Sequence, residues 1–172
     1  FIDILQNDLG RDLLDDPKHS SCTGIGYHSD IVPLETIMTV VARQFALMTE
    51  AGYEHFVASC ITSFGVYTEI LATWEEFPEM EEKTRENLFK ATGREFRKPT
   101  SLAHTSDIMF HFREEIARKA KHKLVNSLTG EPLHVVEHIG CHYAKIFPKS
   151  GIGGSEFPYV LAGMIESWGG QC

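Results

Sequence analysis

The chain has 172 residues, of which 42% are hydrophobic and 23% charged. These are the proportions of a globular chain that buries a core, and the length suits one domain of ordinary size or a piece of a larger protein. Lys and Arg number 16 against 24 Asp and Glu, a formal net charge of −8. So acidic a surface repels phosphate backbones and anionic lipid, which are held by clustered cations, and excludes both as first-choice partners. Apolar stretches are interrupted by charge or Gly well short of the ~20 residues of a bilayer span, so no membrane insertion is expected.

Phe1-Ile2-Asp3-Ile4-Leu5 suits a short strand, and Asn7 to Ser21 is polar and turn-rich around Asp16-Pro17. From Leu34, the residues Ile37, Met38, Val41, Phe45 and Met48 recur at helical spacing, with Gly52 as the stop. His55 to Ser59 reads as a short strand ending at Cys60. A helix is predicted from Phe64 to about Glu76 and is broken by Pro78. An acidic helix follows from about Glu79 to Ala91, ending at Gly93. After a loop through Pro99, a helix from about Ser106 to Lys119 aligns Ile108, Met109, Phe112 and Ile116. Leu133 to Ile139 reads as a strand that delivers Gly140-Cys141-His142 to its end. The Gly-rich segment Gly151-Ile152-Gly153-Gly154 precedes a last helix with Phe157, Val160, Leu161, Met164 and Trp168 at helical spacing.

Strands alternating with helices of ten or more residues imply an α/β fold of βαβ units with a mainly parallel sheet. Ligands of such folds gather at the carboxyl ends of strands, where Cys60 and Cys141 fall. Four widely spaced cysteines, Cys22, Cys60, Cys141 and Cys172, do not make a disulfide-stapled secreted domain, and no basic and apolar leader opens the chain. A reducing, cytoplasmic setting is therefore expected. The start at Phe1 and the stop at Cys172 lead to the expectation of an incomplete chain, with the domain continuing at both ends.

Thiolates bind zinc or iron, attack disulfides or fill space. A four-cysteine zinc site would need Cys-x-x-Cys pairs, but three residues after Cys60 stands Ser63. A mixed site of His138 with Cys141, and a thiol at Cys141 activated by His142, stand beside the plainer reading of each as a core or surface residue. Gly24-Ile25-Gly26 fails as a dinucleotide fingerprint, because Ser29 occupies the third Gly position and no strand precedes it. The Gly151 to Gly154 segment could offer N–H groups to an anion, although a loop capped by Ser155 is the commoner arrangement. The acidic run Glu75, Glu76, Glu79, Glu81, Glu82 and the basic run Arg113, Arg118, Lys119, Lys121, Lys123 read as solvated helix faces or docking surfaces.

At Ser21-Cys22-Thr23-Gly24-Ile25-Gly26-Tyr27, Ala58-Ser59-Cys60-Ile61-Thr62-Ser63 and Gly140-Cys141-His142-Tyr143, the chain resembles the B-subunit family of heterodisulfide reductase, whose members carry cysteine-rich CCG domains. That family carries a lone Cys, then Cys-Cys, then Cys-x-x-Cys, usually twice. Cys22-Thr23 stands for Cys-Cys, and Cys60-Ile61-Thr62-Ser63 stands for Cys-x-x-Cys. The segments with Ala42-Arg43, Glu50-Ala51-Gly52 and Leu102-Ala103-His104 also resemble the family.

The resemblance implies a first, degenerate CCG-type repeat over residues 1–130 and the start of a second over 131–172, continuing beyond the chain end. Gly140-Cys141-His142 then opens the second copy. Cys172 is either a strand cysteine or the edge of its Cys-Cys motif. The resemblance further implies a noncubane 4Fe-4S cluster at which disulfides are cleaved, with Cys22, Cys60 and Cys141 as cofactor-binding and metal-ligating residues and Cys141 and His142 as the catalytic pair. A flavin-bearing A-like subunit and an iron-sulfur C-like subunit are the implied partners. A thiol/disulfide or a lipoate-type sulfur carrier is the implied substrate, the latter as in B-type paralogues of the sulfur-oxidiser heterodisulfide-reductase-like complex. Thr23 and Ser63 take two sulfur ligands away from the first copy, which leaves a non-catalytic assembly subunit as the alternative. A small thiol enzyme using Cys141 and His142 without iron is a third reading.

Overall fold

A computed structural model describes residues 1–19, 23, 31–140, 152–154 and 157–172. The chain is α/β, with helices and, among the described residues, a two-stranded parallel sheet, and it divides into two compact units, residues 16–104 and residues 1–15 with 105–172.

In the first unit, helix α1 (Leu34–Glu50) follows from the apolar spacing already noted, burying Ile37, Met38, Val41, Phe45 and Met48 on one side. Strand β1 (His55–Ala58) pairs in parallel with β2 (Ser101–His104), with Phe56 opposite Leu102 and Ala58 opposite His104. Between the two strands run α2 (Ile61–Glu76) and α3 (Pro78–Thr92), the long crossover that parallel pairing requires. Pro78 occupies the first turn of α3, where its missing N–H costs nothing. Gly93 ends α3 at φ 70°, a left-handed conformation that a Cβ would strain, and its N–H bonds the Phe89 carbonyl.

The core of this unit is aromatic. Phe45 is fully buried, with the rings of Phe56 and Tyr67 centred 5.4 and 5.8 Å from it. Trp74 packs on Phe96 at 5.3 Å. Arg85 stacks its guanidinium 4.2 Å over the Phe96 ring while binding the Glu81 carboxylate at 2.6 Å, and Lys98 reaches the other Glu81 oxygen at 3.0 Å.

In the second unit, Ile4–Asp8 coils into a helical turn, and Leu5 and Leu9 are buried with Ile116. The expected strand at Phe1 to Leu5 is thus corrected: the Leu9 N–H bonds the Ile4 carbonyl, and the coil brings Leu5 and Leu9 close together against one core. The single helix expected from Ser106 to Lys119 is instead α4 (Thr105–His111) and α5 (Arg113–Lys119), separated at Phe112. Helix α6 (Val160–Ser167) begins later than its apolar pattern suggests, and Phe157 is 80% exposed rather than in the core. Helices α4 and α6 approach at Gly163, where an added Cβ would lie 2.6 Å from Phe110 Cε2 and 2.8 Å from Tyr159 Cε1. The strand expected over Leu133 to Ile139 is corrected: the segment pairs in parallel only at one isolated bridge, His134 with Gln171, and a single bridge does not make a strand. Among the described residues, no helix is long and apolar enough to cross a membrane.

Candidate functional site

The carboxyl end of β1 delivers Ser59 and Cys60, and Cys60 is the residue on which α2 begins. Its backbone is extended (φ −93°, ψ 122°), and its carbonyl accepts the Phe64 N–H at 2.9 Å, which makes Cys60 the residue that opens the helix. The thiol is exposed and forms no disulfide among the described residues. Partial burial pushes its pKa up, but hydrogen bonds from the backbone and hydroxyl of Ser63, and then of Thr62, outweigh that and hold it below the ordinary thiol value. Cys60 is therefore a thiol with enhanced thiolate character at the strand end where an α/β fold gathers its ligands.

Sequence reasoning missed the role of Ser63. Read against Cys-x-x-Cys it is a lost ligand; in the fold it stands on the first turn of α2 next to Cys60 and favours the ionised form of that thiol. A hydroxyl three residues beyond the residue that opens a helix faces back over the first turn, and that spacing was the available signal. Ser63 is buried, and Thr23, at the position of the other lost cysteine, is buried with its hydroxyl oxygen unpartnered among the described residues. His104 ends β2 and packs against Phe64, ring centroids 5.7 Å apart.

The structure describes only part of the expected site. Cys22, Cys141 and His142 lie outside the described residues, as do the Gly24 to Gly26 segment and Ser155. Cys172 is a second exposed free thiol. Among the described residues, no three His, Cys, Asp or Glu side chains are grouped to hold a metal ion. A 4Fe-4S cluster is held by four thiolates in the common case. Positions 23 and 63 offer hydroxyls instead, so the first motif does not supply a four-thiolate set.

The start of α6 is also occupied. The Glu137 carboxylate accepts the Ala162 N–H at 2.9 Å, so a side chain from outside the helix satisfies one of the N–H groups of its first turn.

No family model matches the chain. Among curated proteins, it is similar to the B subunit of the ferredoxin:CoB-CoM heterodisulfide reductase of Methanosarcina acetivorans, 24% identical over 169 residues. The match covers 94% of this chain and 52% of that protein, so the chain spans about half the length of the curated relative it matches.

Proposed function

We propose that the protein is a redox subunit resembling the B subunit of heterodisulfide reductase, acting on a disulfide or on protein- or cofactor-bound sulfane sulfur within a cytoplasmic multisubunit electron-transfer complex. The observation that carries this reading is the similarity along 94% of the chain to a protein of that name. The cysteine motifs at Cys22, Cys60 and Cys141 run in the same direction. The partners in this reading are a flavin-bearing A-like subunit and an iron-sulfur C-like subunit.

Within that reading the two cysteine motifs differ. Residues 1–130 form a degenerate first repeat, and 131–172 open a second that continues in the longer protein. A noncubane 4Fe-4S cluster belongs to the second repeat, held by Cys141 with cysteines that follow Cys172, and would supply the electrons for cleaving a sulfur–sulfur bond. His142 orients or protonates the neighbouring sulfur. Cys60 has a separate chemistry open to it: as thiolate it attacks a disulfide sulfur, forming a mixed disulfide and expelling the other sulfur as thiolate.

Iron and acid-labile sulfide per chain, with EPR of the oxidised and reduced states, test the assignment on anaerobically purified full-length protein. About four irons are expected, with a signal that responds to thiol or disulfide and is lost in Cys141→Ala. An unchanged spectrum in that variant would sink the assignment of Cys141. The hydroxyls at Thr23 and Ser63 favour a second reading, an assembly subunit that has lost its cluster. A folded, iron-free protein that still binds its partner subunits would decide for it.

A further inference from the structure

Residues 125–132 form a tight turn closed by an antiparallel bridge between Val125 and Pro132. The Asn126 N–H bonds the Glu131 carbonyl and the Gly130 N–H bonds the Asn126 carbonyl, both at 2.8 Å. The Asn126 side-chain oxygen accepts the Leu128 and Thr129 N–H groups at 2.9 and 3.3 Å. At the base, the Leu124 N–H bonds the carbonyl of Trp168, just past α6, at 2.9 Å. The turn is therefore fixed by its backbone and by Asn126, and it needs nothing from the side chain at 128. Leu128 nevertheless stands there, 94% exposed, in a turn of the kind that short polar residues ordinarily fill. A rigid turn that holds an apolar side chain in water gives up little conformational freedom when that side chain enters a recess.

Arg118, Lys121 and Lys123 precede the turn and are exposed. Among the described residues none of the three is paired with a carboxylate, and Lys123 donates instead to the Ala117 carbonyl. The opposite signature occurs in the first unit, where the chain passes from α2 to α3. There Phe77 is 42% exposed and is flanked by exposed Glu75, Glu76, Glu79 and Glu82. Among the described residues these four carboxylates have no ion pair, while the nearby cations Lys83, Arg85, Lys90 and Lys98 are engaged by Glu35, Glu81 and Glu86.

We infer that the 125–132 turn is a self-association site, at which Leu128 and the cations that precede it dock on the Phe77 corner of a second copy of this chain. Charge complementarity selects that occupant: an apolar side chain beside unpaired cations meets an apolar side chain beside unpaired carboxylates. A membrane is the poorer match, because a chain of net charge −8 is repelled by anionic lipid. Turn and corner are different surfaces of one chain, so the contact is heterologous, each copy giving one and receiving the other. The inference goes beyond the redox reading and does not depend on it.

Sedimentation velocity of the full-length protein over a range of concentrations, at low and at high salt, tests it. Association that grows with concentration and weakens with salt is expected. Leu128→Ser should weaken it about tenfold. Arg118→Glu with Lys121→Glu should abolish it, as should Glu79→Lys with Glu82→Lys, and a chain that carries both pairs of reversals should associate again. A protein that stays monomeric throughout, association indifferent to Leu128→Ser, or a folded chain with both reversals that fails to associate would each overturn the inference. Binding to phosphatidylserine vesicles that is lost in Leu128→Ser would assign the turn to a membrane and overturn it as well.

Discussion

Glu137 and Ala162 are joined by a hydrogen bond from the Ala162 backbone N–H to the Glu137 carboxylate, across 25 residues of chain. Tyr159, the residue before α6, makes no side-chain cap, so Glu137 performs that task from another element. Glu137→Ala should lower stability by about 1 kcal/mol, and Glu137→Gln, which keeps an acceptor, by less. Denaturant unfolding of the two variants checks this; equal losses would show that the carboxamide cannot replace the carboxylate.

The Cys60 thiol should react with an alkylating agent at lower pH than an ordinary cysteine. Removing the Ser63 hydroxyl in Ser63→Ala should move the midpoint of the rate–pH profile upward while leaving the backbone donors in place. Because the folded thiol is held below its ordinary value, its ionisation contributes stability that is fully present above the unfolded pKa. That contribution is lost as pH falls through the folded one. Mass-spectrometric alkylation kinetics resolved to Cys60 provide the readout, and an unshifted profile in Ser63→Ala would remove the hydroxyl from the account.

Gln44 in α1 is wholly buried, and neither its Oε1 nor its Nε2 has a partner among the described residues. An unpaired buried amide costs stability, so Gln44→Met, which keeps the shape and removes the polar atoms, should raise stability by roughly 1–2 kcal/mol. A lower unfolding midpoint in Gln44→Met would mean that the amide is satisfied in solution, for instance by a buried water.

Glu81 is expected to give the first unit an acid limit. Partial burial pushes its carboxyl pKa up, but hydrogen bonds from Arg85 and Lys98, and their charges, more than offset this and hold it below the usual carboxylate value. The sign follows: its contribution is complete above the unfolded pKa and is lost as pH falls through the lower folded one. Glu81→Gln should cost about 1 kcal/mol at pH 7. The difference from wild type should shrink in acid, as urea midpoints measured from pH 7 to pH 3 will reveal.

Helix α1 was legible because its apolar residues repeat at helical spacing over seventeen residues and Gly52 marks the stop. Strand β2 was not, since its four residues, Ser101 to His104, carry too short a pattern to compete with the loop signal of Pro99. The break at Phe112 was hidden for a different reason. Ile108, Met109, Phe112 and Ile116 pack on the same core on both sides of it, so the apolar period runs through, and no Gly or Pro marks the spot. At the candidate site, the position of Cys60 at a strand end was readable from the short apolar run before it. The lowering of its pKa by Ser63 was not, because it depends on the helix starting three residues earlier than the apolar pattern places it.

The close approach at Gly163 ties two distant positions of the sequence together. With Phe110 Cε2 2.6 Å and Tyr159 Cε1 2.8 Å from where a Cβ would stand, an alanine at 163 is compatible with this packing only if the Tyr159 ring shifts and the residue at 110 is smaller or turned away. Positions 110 and 163 should therefore change together among relatives, glycine accompanying a large ring and alanine a short side chain. A family profile that scores each column independently loses that linkage, and a profile that scores the pair would recognise distant members of this fold by it.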